Sequence, residues 1–242
     1  MSLTLYQFAI SHYCEKIRWA LDFKGLEYRT RTLLPGTHVA TMKKLSGDSA
    51  VPVLVHDGTV VANSGAIISY LDAHFPDRPL TPADAAERAE AVEWERLVDD
   101  EVGVHVRLCC YHILLEHPSA VVPLLTHEGP WYGPMLYKFI FPKLKARMRA
   151  LMKINERTFQ VSRKRLERAI DKLARRIDAE GYLVGGQFTR ADLAAASMLA
   201  PLVRPAQYGM DWPDRLPEEL ELLSAPWAEQ LAWVGEMYSR YR

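Results

Sequence analysis

The sequence has few cysteines, no long hydrophobic run and no excess of either charge. Three of its 242 residues are cysteine, which is too few for a disulfide framework and is typical of a reducing compartment. No apolar run approaches the ~20 residues that cross a bilayer, so we expect no integral membrane segment. The first residues, MSLTLYQF, lack a basic patch before a long apolar stretch. We therefore expect no secretory signal and a cytoplasmic protein.

The 30 basic and 30 acidic residues cancel. Nucleic-acid-binding proteins usually carry a basic excess, so we expect no nucleic-acid partner. The charges are unevenly spread, with acidic residues gathered in 84–101 and basic residues in 143–176. These stretches are typical of two solvated helix faces of opposite sign. The alternative for the basic stretch is a surface that attracts anionic ligands.

The first 78 residues alternate between strand and helix patterns. Alternating apolar residues predict strands, and apolar residues at helical spacing predict helices. The predicted strands are 3–8, 28–33, 51–55 and 60–62, and the predicted helices are 12–24, 39–45 and 65–75. The Asp57-Gly58 pair between the last two strands is a strong hairpin signal. This order predicts a small α/β domain with a mixed sheet.

The second part of the chain shows helix patterns and no convincing strand. It follows the proline-rich segment 76–83, which is the best candidate for a linker. Helices are predicted over 85–115, 155–180, 191–202 and 224–241, and the intervening segment 117–152 is rich in Pro, Trp, Tyr, Phe and Met. We therefore divide the chain into an α/β domain (1–78), a linker (79–86) and an all-helical domain (87–242).

Three short features of the first domain point to an anionic ligand. Ser11 lies where the first strand ends and a helix begins, which makes it an N-cap. The free N–H groups and the dipole of that helix also favour an anion. Pro52 lacks the N–H of a strand residue, so it marks an edge strand or a cis bond that would expose the backbone of Val51. Asn63 and Ser64 begin a second capped helix, whose amides can hold a carboxylate.

Together these features resemble the glutathione transferase superfamily, and within it a bacterial-like member of the serine or cysteine type. The matching segments are SHYCEKIRWAL (11–21), VPVLVHDG (51–58), NSGAIISYLD (63–72) and, in the helical part, GGQFTRAD (185–192). In the last segment, Thr189 and Asp192 have the spacing of a capping box. The resemblance covers most of the chain and implies a thioredoxin-like N-terminal domain followed by an all-helical C-terminal domain.

The resemblance assigns Ser11 as the catalytic residue, which donates a hydrogen bond to the sulfur of bound glutathione and favours its thiolate. A hydrogen bond to a charged group contributes ~1.5–3 kcal/mol and a helix N-terminus ~0.3–1 kcal/mol. Together they would lower the thiol pKa by about 1–3 units. No general base is then required. Because neighbouring helix residues do not face each other, we do not expect a Ser11–His12 dyad.

The resemblance also implies where the rest of glutathione binds. Its cysteinyl backbone would lie against Val51 and Pro52, with the proline cis, and its γ-glutamyl group would reach Asn63 and Ser64. His38 would approach the glycine carboxylate, with Lys43 or Lys44 as the alternatives. Glutathione serves as a co-substrate, and no metal is expected.

The helical domain would supply the site for a small hydrophobic electrophile, from an aromatic set that suits an apolar substrate. Our candidates are Tyr111, Trp131 and Tyr132, and the wider set adds Tyr137, Phe139 and Phe141. The segment 117–152 looks longer than in compact members, so an enlarged or covered pocket is an alternative. The family also implies a homodimer and a role in detoxification.

Three other functions remain open at this stage. The same thiolate would serve a glutathione-dependent isomerase or dehalogenase, and the fold would serve a non-catalytic module that binds ligands or proteins. A thiol-disulfide oxidoreductase is disfavoured because it would need cysteine at position 11. Cys14 is then expected to be a buried, inert thiol, and Cys109 and Cys110 are expected to pack in the core.

Overall fold

A computed structural model describes residues 2–242, with the side chain of Asp178 excepted. The N-terminal part contains a four-stranded mixed sheet in the order β2-β1-β3-β4. The strands are β1 (Leu3–Gln7), β2 (Arg29–Thr32), β3 (Val53–His56) and β4 (Thr59–Ala62). β1 is parallel to β2 and antiparallel to β3, and Leu5 lies opposite Thr30 on one side and Leu54 on the other. Asp57 and Gly58 both have positive φ, as a tight hairpin between β3 and β4 requires.

Three helices belong to this sheet, as the sequence predicts. They are α1 (His12–Phe23), α2 (Val39–Ser46) and α3 (Ser64–His74). α1 and α3 pack against each other, and their apolar residues Ile17 and Ile67 are fully buried together with Leu5 and Leu54 of the sheet. This is the thioredoxin-like arrangement, and it places the beginnings of α1 and α3 beside the central strands.

The remainder of the described chain is helical. Its helices are α4 (Ala85–Leu97), α5 (Val104–Leu114), α6 (Pro118–Thr126), α7 (Gly133–Met152), α8 (Glu156–Glu180), α9 (Arg190–Val203), α10 (Glu218–Ser224) and α11 (Ala232–Tyr241). α9 is the central helix, and it contacts α1, α4 and α11. Its small side chains Ala194, Ala195 and Ala196 are fully buried, which allows the neighbouring helices to approach closely.

The structure corrects two of the helix predictions and adds two helices where none was predicted. The segment 117–152 holds two helices, α6 and α7, although Pro123 and Pro142 lie inside them. The helix predicted over 224–241 is divided: α10 ends at Ser224, a 3₁₀ turn containing Pro226 follows, and α11 begins at Ala232. The helix predicted over 85–115 is continuous but includes a π-helical segment, Val98–Gly103, between α4 and α5.

The linker predicted over 79–86 overlaps the first turn of α4, which begins at Ala85. Asp84 caps this helix by accepting hydrogen bonds from the amides of Ala86 and Glu87. The division of the chain at these boundaries stays a prediction. Within residues 2–242, no helix combines the length and the apolar character needed to cross a membrane.

Candidate functional site

A cleft of about 610 Å³ lies between the thioredoxin-like part and the helices. Ser11, His38 and Val51 line one wall, and Arg107 and Tyr111 of α5 belong to the other. The structure therefore brings together three of the predicted glutathione-side residues and one of the predicted substrate-side residues.

Ser11 is the residue before α1, and it lines this cleft. Its backbone is extended (φ −72°, ψ 120°), and its hydroxyl oxygen accepts a hydrogen bond from the amide of Cys14 at 3.4 Å, as an N-cap does. Apart from the adjacent Cys14 thiol, whose pKa it lowers by hydrogen bonding, the hydroxyl has no acceptor among the described residues, so its proton can turn to an acceptor in the cleft. The first amides of α1 point in the same direction. An anionic acceptor is favoured at this position.

The bond between Val51 and Pro52 is cis. Val51 lines the cleft, and the ladder between β3 and β4 begins only at Val53. Consequently the amide and carbonyl of Val51 have no backbone partner among the described residues. They are available to an extended peptide that lies along the cleft.

Asn63 and Ser64 begin α3, but neither borders the main cleft. The side-chain oxygen of Asn63 accepts from the amide of Ala66 at 3.2 Å, and Asn63 itself has a positive φ of 75°. The hydroxyl of Ser64 is buried 3.4 Å from Lys16 Nζ and 3.4 Å from the carboxylate of Asp99. The Ser64 side chain therefore belongs to a buried ionic cluster. The amide of Ser64 has no partner among the described residues.

His38 lines the cleft next to α2. Its Nδ1 accepts a hydrogen bond from the amide of Gly36 at 3.1 Å, and its ring packs edge-on against Phe8. Burial lowers the pKa of His38, so the ring is neutral at neutral pH. Lys43 also lines this wall. Of these two candidates for the glycine carboxylate, Lys43 supplies the positive charge.

Tyr111 borders the cleft, whereas Trp131 and Tyr132 do not. Trp131 is 90% exposed and Tyr132 is 46% exposed, in the connection between α6 and α7. The prediction that these two residues line the hydrophobic side of the cleft is wrong, because their connection points to solvent. The wall instead combines Tyr111 and Trp212 with aliphatic residues that include Leu114, Leu144 and Met148.

Two family models match the chain in the expected order. The model described as "Glutathione S-transferase, N-terminal domain" matches residues 5–79, and the model described as "Glutathione S-transferase, C-terminal domain" matches residues 141–218. Together they cover well over half of the chain. The chain belongs to the glutathione transferase superfamily.

Curated members of this glutathione transferase superfamily share segments of the sequence. Glutathione S-transferase 1 of Dianthus caryophyllus is 43% identical over 90 residues, which are 36% of this chain and 41% of the relative. A probable maleylacetoacetate isomerase of Caenorhabditis elegans is 38% identical over 89 residues, which are 36% and 42% of the two chains. Protein LigF of Sphingobium sp. strain SYK-6 is 37% identical over 105 residues, 41% of each chain.

The chain thus spans about two fifths of the length of these curated relatives. A crystal structure of the beta-etherase LigF from the same strain shares the fold over the whole length. It has a TM-score of 0.66, covers 99% of this chain and 100% of its own, and is 23% identical over that alignment.

Three arginines that border this cleft were not among the site residues predicted from the sequence. Arg107 of α5, Arg147 of α7 and Arg204 at the end of α9 all border it. A signal for two of them is present, because Arg107 is spaced three, four and seven residues from other cleft residues of α5, and Arg147 is spaced three and four residues from Leu144 and Leu151 of α7. This signal could be used only once the cleft-facing side of each helix is known.

The cysteines and His12 are buried and have structural rather than catalytic roles. Cys14, Cys109 and Cys110 are free and buried, and burial raises the pKa of each thiol, which makes them poor nucleophiles. His12 is also buried, and its Nε2 donates to the carbonyl of Gly103 at 3.1 Å. Burial, aided by the charge of Arg107, lowers its pKa to about 3. Within residues 2–242, no group of three His, Cys, Asp or Glu side chains is arranged to hold a metal ion.

Proposed function

We propose that this protein is a glutathione transferase that holds the glutathione thiolate against Ser11 and directs it at a small hydrophobic electrophile. The observation that carries the proposal is the Ser11 hydroxyl. It lies on the cleft at the start of α1, and apart from the adjacent Cys14 thiol its proton has no acceptor among the described residues. A non-catalytic binding module has no need of such a donor.

The proposed activation is electrostatic and requires no base. The Ser11 hydroxyl donates to the sulfur, and the N-terminal dipole of α1 favours the negative charge. Arg107 on the opposite wall adds a positive charge to the same cleft. His12 cannot serve as the base, because a pKa of about 3 makes it a very weak one and its Nε2 proton is held by Gly103. The thiolate then attacks an electrophilic carbon.

The rest of glutathione would bind along the thioredoxin-like wall. Its cysteinyl residue would pair with the free amide and carbonyl of Val51, as one strand pairs with another. Its γ-glutamyl carboxylate would lie at the N-terminus of α3, where the amide of Ser64 is free. Its glycine carboxylate would approach Lys43, with His38 contributing a neutral ring.

A second candidate is an isomerase or an ether-cleaving enzyme that uses the same thiolate. The names of two relatives favour it: the C. elegans protein is described as a probable maleylacetoacetate isomerase and LigF as a beta-etherase. Both reactions begin with glutathione at the same position, so product analysis separates them from conjugation. The cytoplasmic location, the homodimer and the role in detoxification stay predictions.

The proposal is tested by comparing wild-type protein with Ser11→Ala in conjugation of glutathione to 1-chloro-2,4-dinitrobenzene. Loss of a hydrogen bond to a charged sulfur should lower kcat by about 10- to 100-fold. Glutathione affinity should change by less than about tenfold, since the tripeptide keeps its other contacts. Ser119→Ala is the matched control, because Ser119 is exposed on α6. Equal turnover of Ser11→Ala and wild type would remove Ser11 from the mechanism.

A further inference from the structure

The cleft carries positive charge without any negative charge. Lys43, Arg107, Arg147 and Arg204 all border it, and no Asp or Glu is among the described residues that line it. The chain as a whole is neutral, so this separation of charge is local to the cleft.

The arginines lie within an otherwise apolar wall. On α5, Arg107 shares its face with Cys110, Tyr111 and Leu114, and all four border the cleft. On α7, Arg147 lies in the same way among Leu144, Met148 and Leu151. Each helix therefore places one guanidinium inside a hydrophobic stripe.

The two buried arginines of the described chain are each matched by a carboxylate. Arg18 lies 2.8 Å from Glu15, and Arg190 lies 2.6 Å from Glu95. This is the usual solution for a charge removed from water.

The cleft arginines are less buried, since Arg107 and Arg204 are half-buried and Arg147 is exposed. Within the described side chains, neither Arg107 nor Arg147 has a carboxylate within 4.0 Å. Arg204 Nη2 lies 2.6 Å from the carboxylate of Glu221, whose side chain is 62% exposed. Its Nη1 is buried and has no hydrogen-bond partner. All three residues therefore border an apolar cleft with guanidinium donors that no described carboxylate occupies.

The two carboxylates of glutathione do not account for these donors. Under the proposed function its carboxylates lie along the thioredoxin-like wall, where Lys43 and the start of α3 are available to them. The three arginines belong to the opposite, helical wall, which borders the second substrate. Guanidinium groups bind carboxylates in a planar, two-point geometry.

We propose that the second substrate is an apolar electrophile that carries a carboxylate, bound by Arg204 together with Arg107 and Arg147. This inference rests on the proposed function, because it places glutathione on the opposite wall. In a substitution, the sulfur–carbon bond forms as the leaving group departs with its electron pair. The carboxylate only anchors the substrate and takes no part in the bond changes.

The test uses two product-like conjugates and needs no turnover. S-(4-carboxybenzyl)glutathione and S-benzylglutathione differ only in the carboxylate, and calorimetry gives the Kd of each for the whole protein. We expect the carboxylated conjugate to bind at least about tenfold more tightly, as a hydrogen-bonded charge pair allows.

The substitutions Arg107→Met, Arg147→Met and Arg204→Met keep an unbranched apolar stem and remove the charge. Each should reduce the ratio of the two Kd values by about threefold or more, and the triple variant should bring it close to one. Lys138→Met is the control, because Lys138 is exposed on α7 and lies outside the cleft lining. It should leave the ratio unchanged. Arg147 is itself exposed, so its variant should fold even if the other two do not.

The outcomes separate the two proposals. Failure of both conjugates to bind would overturn the proposed function and this inference with it. Equal binding of the two conjugates, or a preference that survives in the triple variant, would overturn the inference alone. A preference that disappears with the arginines and persists in Lys138→Met would support it.

Discussion

The ammonium group of Lys16 on α1 lies 2.7 Å from the carboxylate of Glu95 on α4, and both side chains are buried. Lys16 also lies 2.7 Å from the carboxylate of Asp99. The other oxygen of Glu95 binds Arg190 of α9, whose guanidinium donates to the carbonyl of Gly65 at the start of α3. These buried charges tie the helix that carries Ser11 to the helical part of the chain.

Replacement of Lys16 should be costly. In Lys16→Met, Asp99 loses its cation and Glu95 keeps only Arg190, while Glu95 stays buried and Asp99 is only 18% exposed. We expect the free energy of unfolding to fall by about 3–5 kcal/mol, measured by urea denaturation. The control is Arg96→Met, because the Arg96 side chain is 75% exposed and lies 4.0 Å from Asp100. Its free energy of unfolding should change by less than about 1 kcal/mol. Similar losses in the two variants would show that the buried cluster contributes no special stability.

Gly103 allows the π-helical segment to approach α1 and α9. A Cβ at this position would lie 2.6 Å from Met198 Sδ and 2.6 Å from Tyr13 Oη, and that hydroxyl is held by the carbonyl of Asp99 at 2.6 Å. Gly103→Ala should therefore destabilise the protein by about 1–3 kcal/mol through overpacking. Thermal or urea unfolding measures this change.

At Gly235, substitution by alanine should stabilise the protein. It lies within α11, and a Cβ there meets no atom within 4 Å. Gly235→Ala should raise the free energy of unfolding by about 0.5–1 kcal/mol, because alanine has the better helix propensity. If Gly103→Ala also proved stabilising, the close packing described between α1 and the π-helical segment would be wrong.

The buried imidazole of His12 should make stability depend on pH. Its pKa is lowered from 6.5 to about 3, first by burial and then by Arg107. The folded state therefore binds fewer protons than the unfolded state between these values. The contribution of neutral His12 to the free energy of unfolding is fully present above pH 6.5. Below that pH the free energy of unfolding falls by about 1.4 kcal/mol per pH unit for one proton.

His12→Gln keeps a side-chain N–H for the Gly103 carbonyl but does not titrate. Urea unfolding at several pH values between 4 and 7 should show a shallower loss for this variant, by about that slope. Other titrating groups contribute equally to both proteins and cancel in the comparison. Parallel curves for the two proteins would mean that His12 can be protonated without unfolding.

Features encoded by neighbouring residues could be predicted from the sequence. The Ser11 cap, the Asp57-Gly58 hairpin and the capping box of α9 each depend on a few consecutive residues. In the last of these, the Asp192 carboxylate accepts from the amide and hydroxyl of Thr189 at 2.8 and 2.9 Å. By contrast, α6 and α7 were not predicted, because they contain Pro123 and Pro142. Proline removes one helical hydrogen bond and usually ends a helix.

The composition of the cleft could not be predicted in the same way. Arg107, Arg147 and Arg204 are far apart in the sequence, and only the packing of α5, α7 and α9 brings them to one cavity. Conversely, the aromatic content of 117–152 suggested substrate contacts, but the connection before α7 exposes Trp131 and Tyr132 instead. Residue type alone does not indicate which side of a helix or loop meets a cavity.

The most direct test of the proposed mechanism is the pKa of the glutathione thiol when it is bound. Ultraviolet absorbance of the thiolate, followed during a pH titration of the saturated protein, gives this value for wild type and Ser11→Ala. We expect a bound pKa about 1–3 units below the ~8.5 of a free thiol, and a rise of about 1–2 units in Ser11→Ala. A bound thiol that titrates like free glutathione, or the same pKa in both proteins, would contradict the role assigned to Ser11.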